Sequence, residues 1–401
     1  TNIADRKSRQ MLHKAKKMNP DAIVVAAGCY AQADTEKLKE DNAVDLILGN
    51  NQKTQIVEVL EEYEKEHSKQ VQVIEINHTK EYEELSIEQT AEHVRAYIKV
   101  QDGCNQFCTY CIIPFARGRV RSRKIADVLR EVETLASKGY KEVVLTGIHL
   151  SSYGVDFSKE ERESLLSLIQ AVSKVEGIQR IRLGSLEPRI ITEEFLEGIV
   201  ATGKVCPHFH LSLQSGCNKT LSDMNRRYDA EEYAQKCALI RKYYPSPALT
   251  TDVIVGFPGE TEEDVTALCE FMQEVRFERL GCFAFSPEEG TPAAAMPEQI
   301  EEEEKQRRRD IVMEAQTRIT DAWISDAYNQ AQVGKTIPVL VESYDRYAEC
   351  WFGRSRADAP EIDCKVFFVP GEGSPAPKPG DMVRVRITDM LDWDLMGELC
   401  E

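Results

Sequence analysis

Six short strand-like runs alternating with helical stretches fill the middle of the chain, and they constrain its fold more than any other feature. The runs are Ala96–Gln101, Glu142–Thr146, Arg180–Ser185, His208–Leu213, Thr250–Phe257 and Leu280–Phe285. Helical patterns fall at Ile125–Ser137, Glu163–Val175, Thr192–Ala201, Ala230–Tyr243 and Glu262–Val275. Apolar strands separated by helices are the signature of a parallel sheet covered on both faces. With no sign of a second sheet, the pattern predicts an α/β fold: a partial, barrel-like (β/α)6 arrangement, open or closed. In such barrels chemistry collects at the carboxyl ends of the strands.

The flanks differ. Asp5–Lys17 reads as a basic helix, Ala22–Ala27 and Val44–Gly49 as buried strands, and Thr35–Glu40 and Thr54–Lys65 as helices. The charged stretch Glu75–Glu92 has the low hydrophobicity of a linker. After a Pro/Ala/Glu-rich break at Pro287–Pro297, Glu298–Gln330 reads as one charged helix. Ile337–Val341, Tyr347–Phe352, Lys365–Phe368 and Met382–Thr388 are short β runs between Gly/Pro turns, as in a small β-barrel. The predicted domains are 1–75, 94–330 and 331–401, with 76–93 as linker.

A net charge of −18 argues against indiscriminate binding to polyanions or membrane surfaces, while leaving room for a local basic stripe. The twelve cysteines are scattered, and no signal peptide or membrane-length apolar run occurs, so a reducing cytoplasm is expected.

Cys104, Cys108 and Cys111 form a CxxxCxxC triplet directly after the first strand of the repeat. Three thiolates on one short loop suit three irons of a [4Fe–4S] cluster, leaving the fourth iron open to bind a small molecule. A zinc site with one further ligand is the alternative, but no partner CxxC or HxxxH follows at finger spacing. Thr261-Glu262-Glu263-Asp264 reads as a helix-capping box, and His208 and His210 as barrel packing. Cys29, just after a strand and Gly28, stands open between a small buried hydrophobe and a ligand. Arg117, Arg119, Arg121 and Arg123 alternate along one extended face, either as a solvated edge or facing carboxylates or phosphates. Arg226-Arg227 is a further basic spot.

Triplet and repeat together resemble the radical S-adenosylmethionine superfamily, whose open iron takes the amino and carboxylate groups of that cofactor. Tyr110 is then placed to pack on the adenine. The other strand ends offer a cradle: Thr146 and Gly147, Ser185 and Glu187, Gln214, and Val255 with Gly256. Taken singly, each is also ordinary turn chemistry.

Four stretches narrow the resemblance to the methylthiotransferases of that superfamily. They are Asp5-Arg6-Lys7-Ser8-Arg9-Gln10, Ala27-Gly28-Cys29-Tyr30-Ala31-Gln32, the triplet with Ile112-Ile113-Pro114, and His210-Leu211-Ser212-Leu213-Gln214-Ser215-Gly216. The terminal β segment is similar to the TRAM barrel with which that family grips RNA. Thr146-Gly147-Ile148-His149-Leu150-Ser151-Ser152-Tyr153-Gly154 looks like the branch acting on N6-threonylcarbamoyladenosine at tRNA position 37. Isopentenyladenosine in tRNA and a ribosomal-protein aspartate are the substrates of the other branches, and stay open. So does a non-catalytic RNA-binding protein with a structural metal.

The resemblance implies two [4Fe–4S] clusters, S-adenosylmethionine as cofactor, and a tRNA anticodon loop as substrate. It also implies an electron donor such as flavodoxin or ferredoxin, a sulfur donor, no membrane and a monomer. Cys104, Cys108 and Cys111 would hold the radical-generating cluster, and Cys29 would be the third ligand of an auxiliary one. The other two auxiliary ligands fall upstream of Thr1 in the family. This chain is therefore expected to be an N-terminally truncated form that assembles only the first cluster normally. Residues 331–401 carry thirteen Asp/Glu against eight Lys/Arg, so any basic face there must be local. Arg354, Arg356, Arg384 and Arg386 are the RNA-binding candidates.

Overall fold

The computed structural model describes residues 2–86, 94–158, 160, 163–371 and 375–400. The first unit is α1 (Asn2–Met18), β1 (Val25–Ala27), α2 (Cys29–Ala33), α3 (Thr35–Lys39), β2 (Leu46–Leu48), α4 (Ile56–Glu66) and β3 (Gln70–Gln72). Its three strands are parallel in the order β1-β2-β3. The central Leu46, Ile47 and Leu48 are fully buried. β3, an edge strand of two glutamines and a valine, carries no apolar signature and escaped the sequence pattern.

Residues 76–86 are packed against the protein. Ile76 is buried, and the Tyr82 hydroxyl donates to the Lys99 carbonyl at 2.8 Å. Low hydrophobicity here reflects a strap held by polar contacts rather than a free linker; residues 87–93 lie outside the described residues.

The middle unit runs β4 (Ala96–Asp102), α5 (Ile113–Ala116), β5 (Arg121–Ser122), α6 (Ile125–Ser137), β6 (Glu142–Gly147), α7 (Leu165–Ser173) and β7 (Arg180–Leu183). It continues with α8 (Glu193–Ala201), β8 (His208–His210), α9 (Asn218–Asp223), α10 (Ala230–Tyr243), β9 (Ala248–Val255), α11 (Glu262–Val275) and β10 (Arg279–Ala284). β4-β6-β7 and β8-β9-β10 are parallel, and single bridges Ile181–Val205 and Leu186–Leu211 join the two halves. The six predicted strands thus form one arc, with β5 antiparallel on its β4 edge. Ile98, Leu145, Ile181, Phe209 and Val253 lie in its single core. Thr261 and Asp264 form the predicted capping box of α11, and His208 is buried in the barrel wall.

α12 (Glu302–Thr320) packs on β10, then loosens through a π-helical segment, Asp321–Asn329, into α13 (Gln330–Gln332). The single long helix of the sequence pattern starts later than expected because Glu298 has a left-handed φ of 58°. The chain ends in a closed barrel of β11 (Thr336–Asp345), β12 (Cys350–Arg354), β13 (Val366–Val369), β14 (Met382–Leu391) and β15 (Asp394–Leu399). Among the described residues, no helix is long and apolar enough to cross a membrane.

Arginines dominate the joint between the two barrels. Glu142, fully buried, receives Arg95 at 3.1 Å, Arg182 at 3.2 Å and Arg180 at 3.4 Å. Arg180 also donates to the Arg354 and Pro338 carbonyls, and Arg182 to the Arg356 carbonyl. Two expected RNA contacts are corrected here. Arg354 is buried and pairs with Glu342 at 3.0 Å, while Arg356 donates to the Gly203 and Val205 carbonyls. Both guanidiniums serve the joint, because carbonyls and a carboxylate surround them there. Arg384 and Arg386 lie exposed on β14, Arg386 paired with Glu398 at 2.7 Å.

Candidate radical site

The cysteine loop leaves the carboxyl end of β4 through Gly103, whose φ is 71°. A Cβ there would lie 1.9 Å from the Arg119 carbonyl oxygen. The loop is pinned at that point, since the Cys104 N–H donates to the Gly118 carbonyl at 3.0 Å. Gly103→Ala is therefore expected to cost at least about 2 kcal/mol, combining left-handed strain with a backbone clash. Thermal unfolding together with the iron content of the reconstituted protein checks this; an unchanged melt with full iron would refute it.

Distant segments hold the rest of the loop. The Thr109 N–H donates to the Met224 carbonyl at 3.2 Å and its hydroxyl to the Asp223 carbonyl at 2.8 Å. Asn225 Nδ2 donates to the Phe107 carbonyl at 2.9 Å. Arg226 Nη1 donates to Cys108 Sγ at 3.3 Å. Burial pushes the Cys104 thiol up, and pushes Cys111 to about 11. Nearby Cys108 adds to both shifts, as expected of thiols crowded on one loop.

The donor set fits an iron–sulfur cluster: three soft thiol sulfurs, one short loop, and no fourth ligand supplied by that loop.

The strand-end residues read as a cofactor cradle are placed as follows. Tyr110 packs against Met224, Phe257, Phe285 and Ala293, with Ile254 beside it. Gly147, at the end of β6, lies so close to Gln101 that a Cβ would come within 2.8 Å of its Oε1. That same oxygen accepts the His149 N–H at 2.8 Å, while Gln101 Nε2 donates to the Gly103 carbonyl at 2.6 Å. Gln101 thereby ties the Thr146–Gly147 turn to the cysteine loop.

Glu187 is buried, forked by Arg189 at 3.1 and 3.0 Å, and lies 3.6 Å from His149 Nε2. Burial holds the His149 ring below its usual pKa. Ser185 is exposed at the mouth, and Gln214 takes a φ of 74° where it bridges Val253.

Val255 and Gly256 depart from expectation. The Val255 carbonyl accepts the Phe285 N–H at 2.8 Å, and the Gly256 N–H donates to Glu260 at 2.7 Å. A Cβ on Gly256 would meet Lys305 Cγ at 2.3 Å. The glycine is needed for packing against α12, and the Val255 carbonyl and the Gly256 N–H already have partners within the protein.

Cys29 opens α2, after Gly28 with φ 100°. Its sulfur accepts from Arg117 Nε at 3.1 Å and from Asn50 Nδ2 at 3.6 Å. Asn50 also donates to the Ala116 carbonyl at 2.7 Å, and Arg117 approaches Asp102 at 3.4 Å. The lone cysteine of the first unit thus sits against the segment that directly follows the triplet.

Three family models match the chain: the Radical SAM superfamily over residues 98–272, the TRAM domain over 333–400, and Uncharacterized protein family UPF0004 over 1–49. The threonylcarbamoyladenosine tRNA methylthiotransferase MtaB of Aquifex aeolicus is 43% identical over 310 residues, 77% of this chain and 75% of that protein. The ribosomal protein uS12 methylthiotransferase RimO of Desulfitobacterium hafniense is 42% identical over 388 residues, 94% of this chain and 82% of that protein. The tRNA-2-methylthio-N(6)-dimethylallyladenosine synthase of Acetivibrio thermocellus is 36% identical over 393 residues, 97% and 78% of the two chains.

The chain belongs to the radical S-adenosylmethionine methylthiotransferases. It is an enzyme, and membership implies a [4Fe–4S] cluster and S-adenosylmethionine. Of the alternating arginines, Arg121 and Arg123 are buried and meet carboxylates: Asp102 for the first, Glu84 and Glu131 for the second. Sequence reasoning missed Gln101, Asn225 and the role of Arg226. A separation of 118 residues between Cys108 and Arg226 leaves no local pattern to detect.

Proposed function

We propose that this methylthiotransferase adds a methylthio group to C2 of N6-threonylcarbamoyladenosine at position 37 of tRNA. The observation that carries the reading is the Thr146–Gly154 turn at the mouth of the barrel. There His149, bonded to Ser152 at 2.7 Å, faces Glu187 beside the cysteine loop. The 43% identity to MtaB supports the same substrate. A second reading, a ribosomal protein substrate, draws on the 42% identity to RimO across 94% of the chain. Mass spectrometry of tRNA nucleosides from a deletion strain separates them. Loss of the 2-methylthio form of threonylcarbamoyladenosine is expected, and an unchanged tRNA profile with unmodified uS12 would favour the second reading.

A purine C2–H is too strong and too weakly acidic for side-chain bases. Cys104, Cys108 and Cys111 would hold the cluster, which with its cofactor would supply a carbon radical able to take that hydrogen. The side chains around it bind, orient and exclude water. Tyr110 packs among apolar side chains, Glu187 is paired with Arg189, and Gln101 and Asn225 fix the loop. Cys29 would serve an auxiliary cluster that brings the sulfur close to the same mouth.

Position 37 borders the anticodon in a loop, where a base can leave the stack without a helix being melted. On the terminal barrel, Phe352 and Phe367 lie 6.0 Å apart with Lys365 4.5 Å from the Phe352 ring, a surface suited to stacking and phosphate contact. Arg384 and Arg386 are exposed on β14 of the same barrel. A flavodoxin- or ferredoxin-like reductant, a separate sulfur donor, a monomeric state and a cytoplasmic location complete the reading.

A further inference from the structure

Three partners hold Arg226 in place. Its Nε donates to the Tyr228 hydroxyl at 2.9 Å and Nη2 to the Ser212 carbonyl at 3.4 Å. Its guanidinium carbon lies 4.9 Å from the Tyr228 ring centre. Tyr228 is buried, and its own hydroxyl donates to the Ser212 carbonyl at 2.5 Å, with the Leu213 carbonyl at 2.9 Å. The third partner is Cys108 Sγ at 3.3 Å. These partners are neutral oxygens and a sulfur, while the nearby carboxylate of Glu187 is occupied by Arg189. A partly buried guanidinium without a carboxylate calls for another negative group to balance it. The group its fork reaches is the thiol of a cluster ligand.

We infer that Arg226 is a positioning residue that sets the reduction potential of the cluster held by Cys104, Cys108 and Cys111. The inference rests on the radical-site reading given above. When one electron enters from a low-potential one-electron donor, the cluster becomes more negative by one charge; no bond forms or breaks, and no proton moves at Arg226. A fixed cation hydrogen-bonded to a ligand sulfur favours that reduced state, since net charge and hydrogen bonds to the sulfurs set such potentials. Removing the cation disfavours reduction.

The test is an anaerobic redox titration of the reconstituted protein, followed by electron paramagnetic resonance, on the wild type, Arg226→Gln and Arg226→Lys. Iron content and circular dichroism are recorded alongside. The Gln variant is expected to need a midpoint at least 59 mV more negative, a tenfold loss of reduced cluster at fixed potential for a one-electron couple. The Lys variant, which keeps the charge, should recover at least half of that shift.

A merely structural Arg226 would change iron content or stability and leave the midpoint in place. An unmoved midpoint in a fully loaded Gln variant overturns the inference. Loss of iron from both variants with the fold intact also overturns it, because Arg226 would then be a scaffold. Absence of any [4Fe–4S] signal in the wild type defeats the radical-site reading and the inference with it.

Discussion

Replacing Cys108 by alanine is expected to abolish both cluster assembly and cleavage of S-adenosylmethionine. Of the three triplet cysteines it alone is fully buried, at 8% exposure, and it sits at the centre of the loop's attachments. Its carbonyl accepts the Cys111 N–H at 3.0 Å, and its sulfur accepts the Arg226 fork at 3.3 Å. Two remaining thiols cannot occupy three corners of a cube, and no other cysteine on the loop substitutes. Removing the sulfur also leaves Arg226 facing an apolar methyl, so binding is lost on both the coordination and the electrostatic side. Anaerobic reconstitution followed by visible absorption and by chromatography of 5′-deoxyadenosine measures the two effects. Cys350→Ala, a half-buried position on the distant terminal barrel, should leave both readings at wild-type level. A loaded and active Cys108→Ala would remove the basis of the radical reading.

The sequence exposed those parts of the molecule that rest on local pattern. All six strands of the central arc were visible because they recur between helical periods, and most are apolar, as parallel strands buried on both faces are. The cysteine triplet was visible because its three ligands share one loop. Strands built from alternating or polar residues were not. β3 reads Gln-Val-Gln, and β15 is Asp-Leu-Met-Gly-Glu-Leu, a mixed run whose pairing with β13 and β14 closes the barrel. Long-range contacts of charged side chains were invisible for a different reason. Arg354 and Arg356 have the same side chain as Arg384 and Arg386, and only the approach of the Glu342 carboxylate and the Gly203 and Val205 carbonyls turns the first pair inward. Gly256 shows the same limit: a glycine at a strand end signals close approach, but not whether a cofactor or Lys305 makes it.

Glu142→Gln is expected to be among the most destabilising isosteric changes in the chain. The wild-type carboxylate is inaccessible to solvent and lies within 3.4 Å of Arg95, Arg180 and Arg182. Burial alone would raise its pKa; the guanidiniums of Arg182, Arg95 and Arg180 outweigh that and hold it below 4.5. An amide keeps the shape but removes the charge, leaving three guanidiniums gathered around a neutral group. Breaking a buried ion pair by removing one partner costs about 3–5 kcal/mol, so a melting point lower by roughly 10 °C is expected. The loss should fall on the joint, because Arg180 and Arg182 are also the residues that bond the Pro338, Arg354 and Arg356 carbonyls of the terminal barrel. Limited proteolysis should then release that barrel sooner than in the wild type, with the cysteine loop still able to take up iron. The pH dependence gives an independent check. A carboxyl whose folded pKa lies below its unfolded value contributes fully above the unfolded value, near 4.5, and loses that contribution as pH falls through the folded one. The stability gap between wild type and Glu142→Gln should therefore be constant from pH 5 to 8 and narrow only in stronger acid. A gap that closes near neutrality would show that the three arginines are balanced by something other than Glu142.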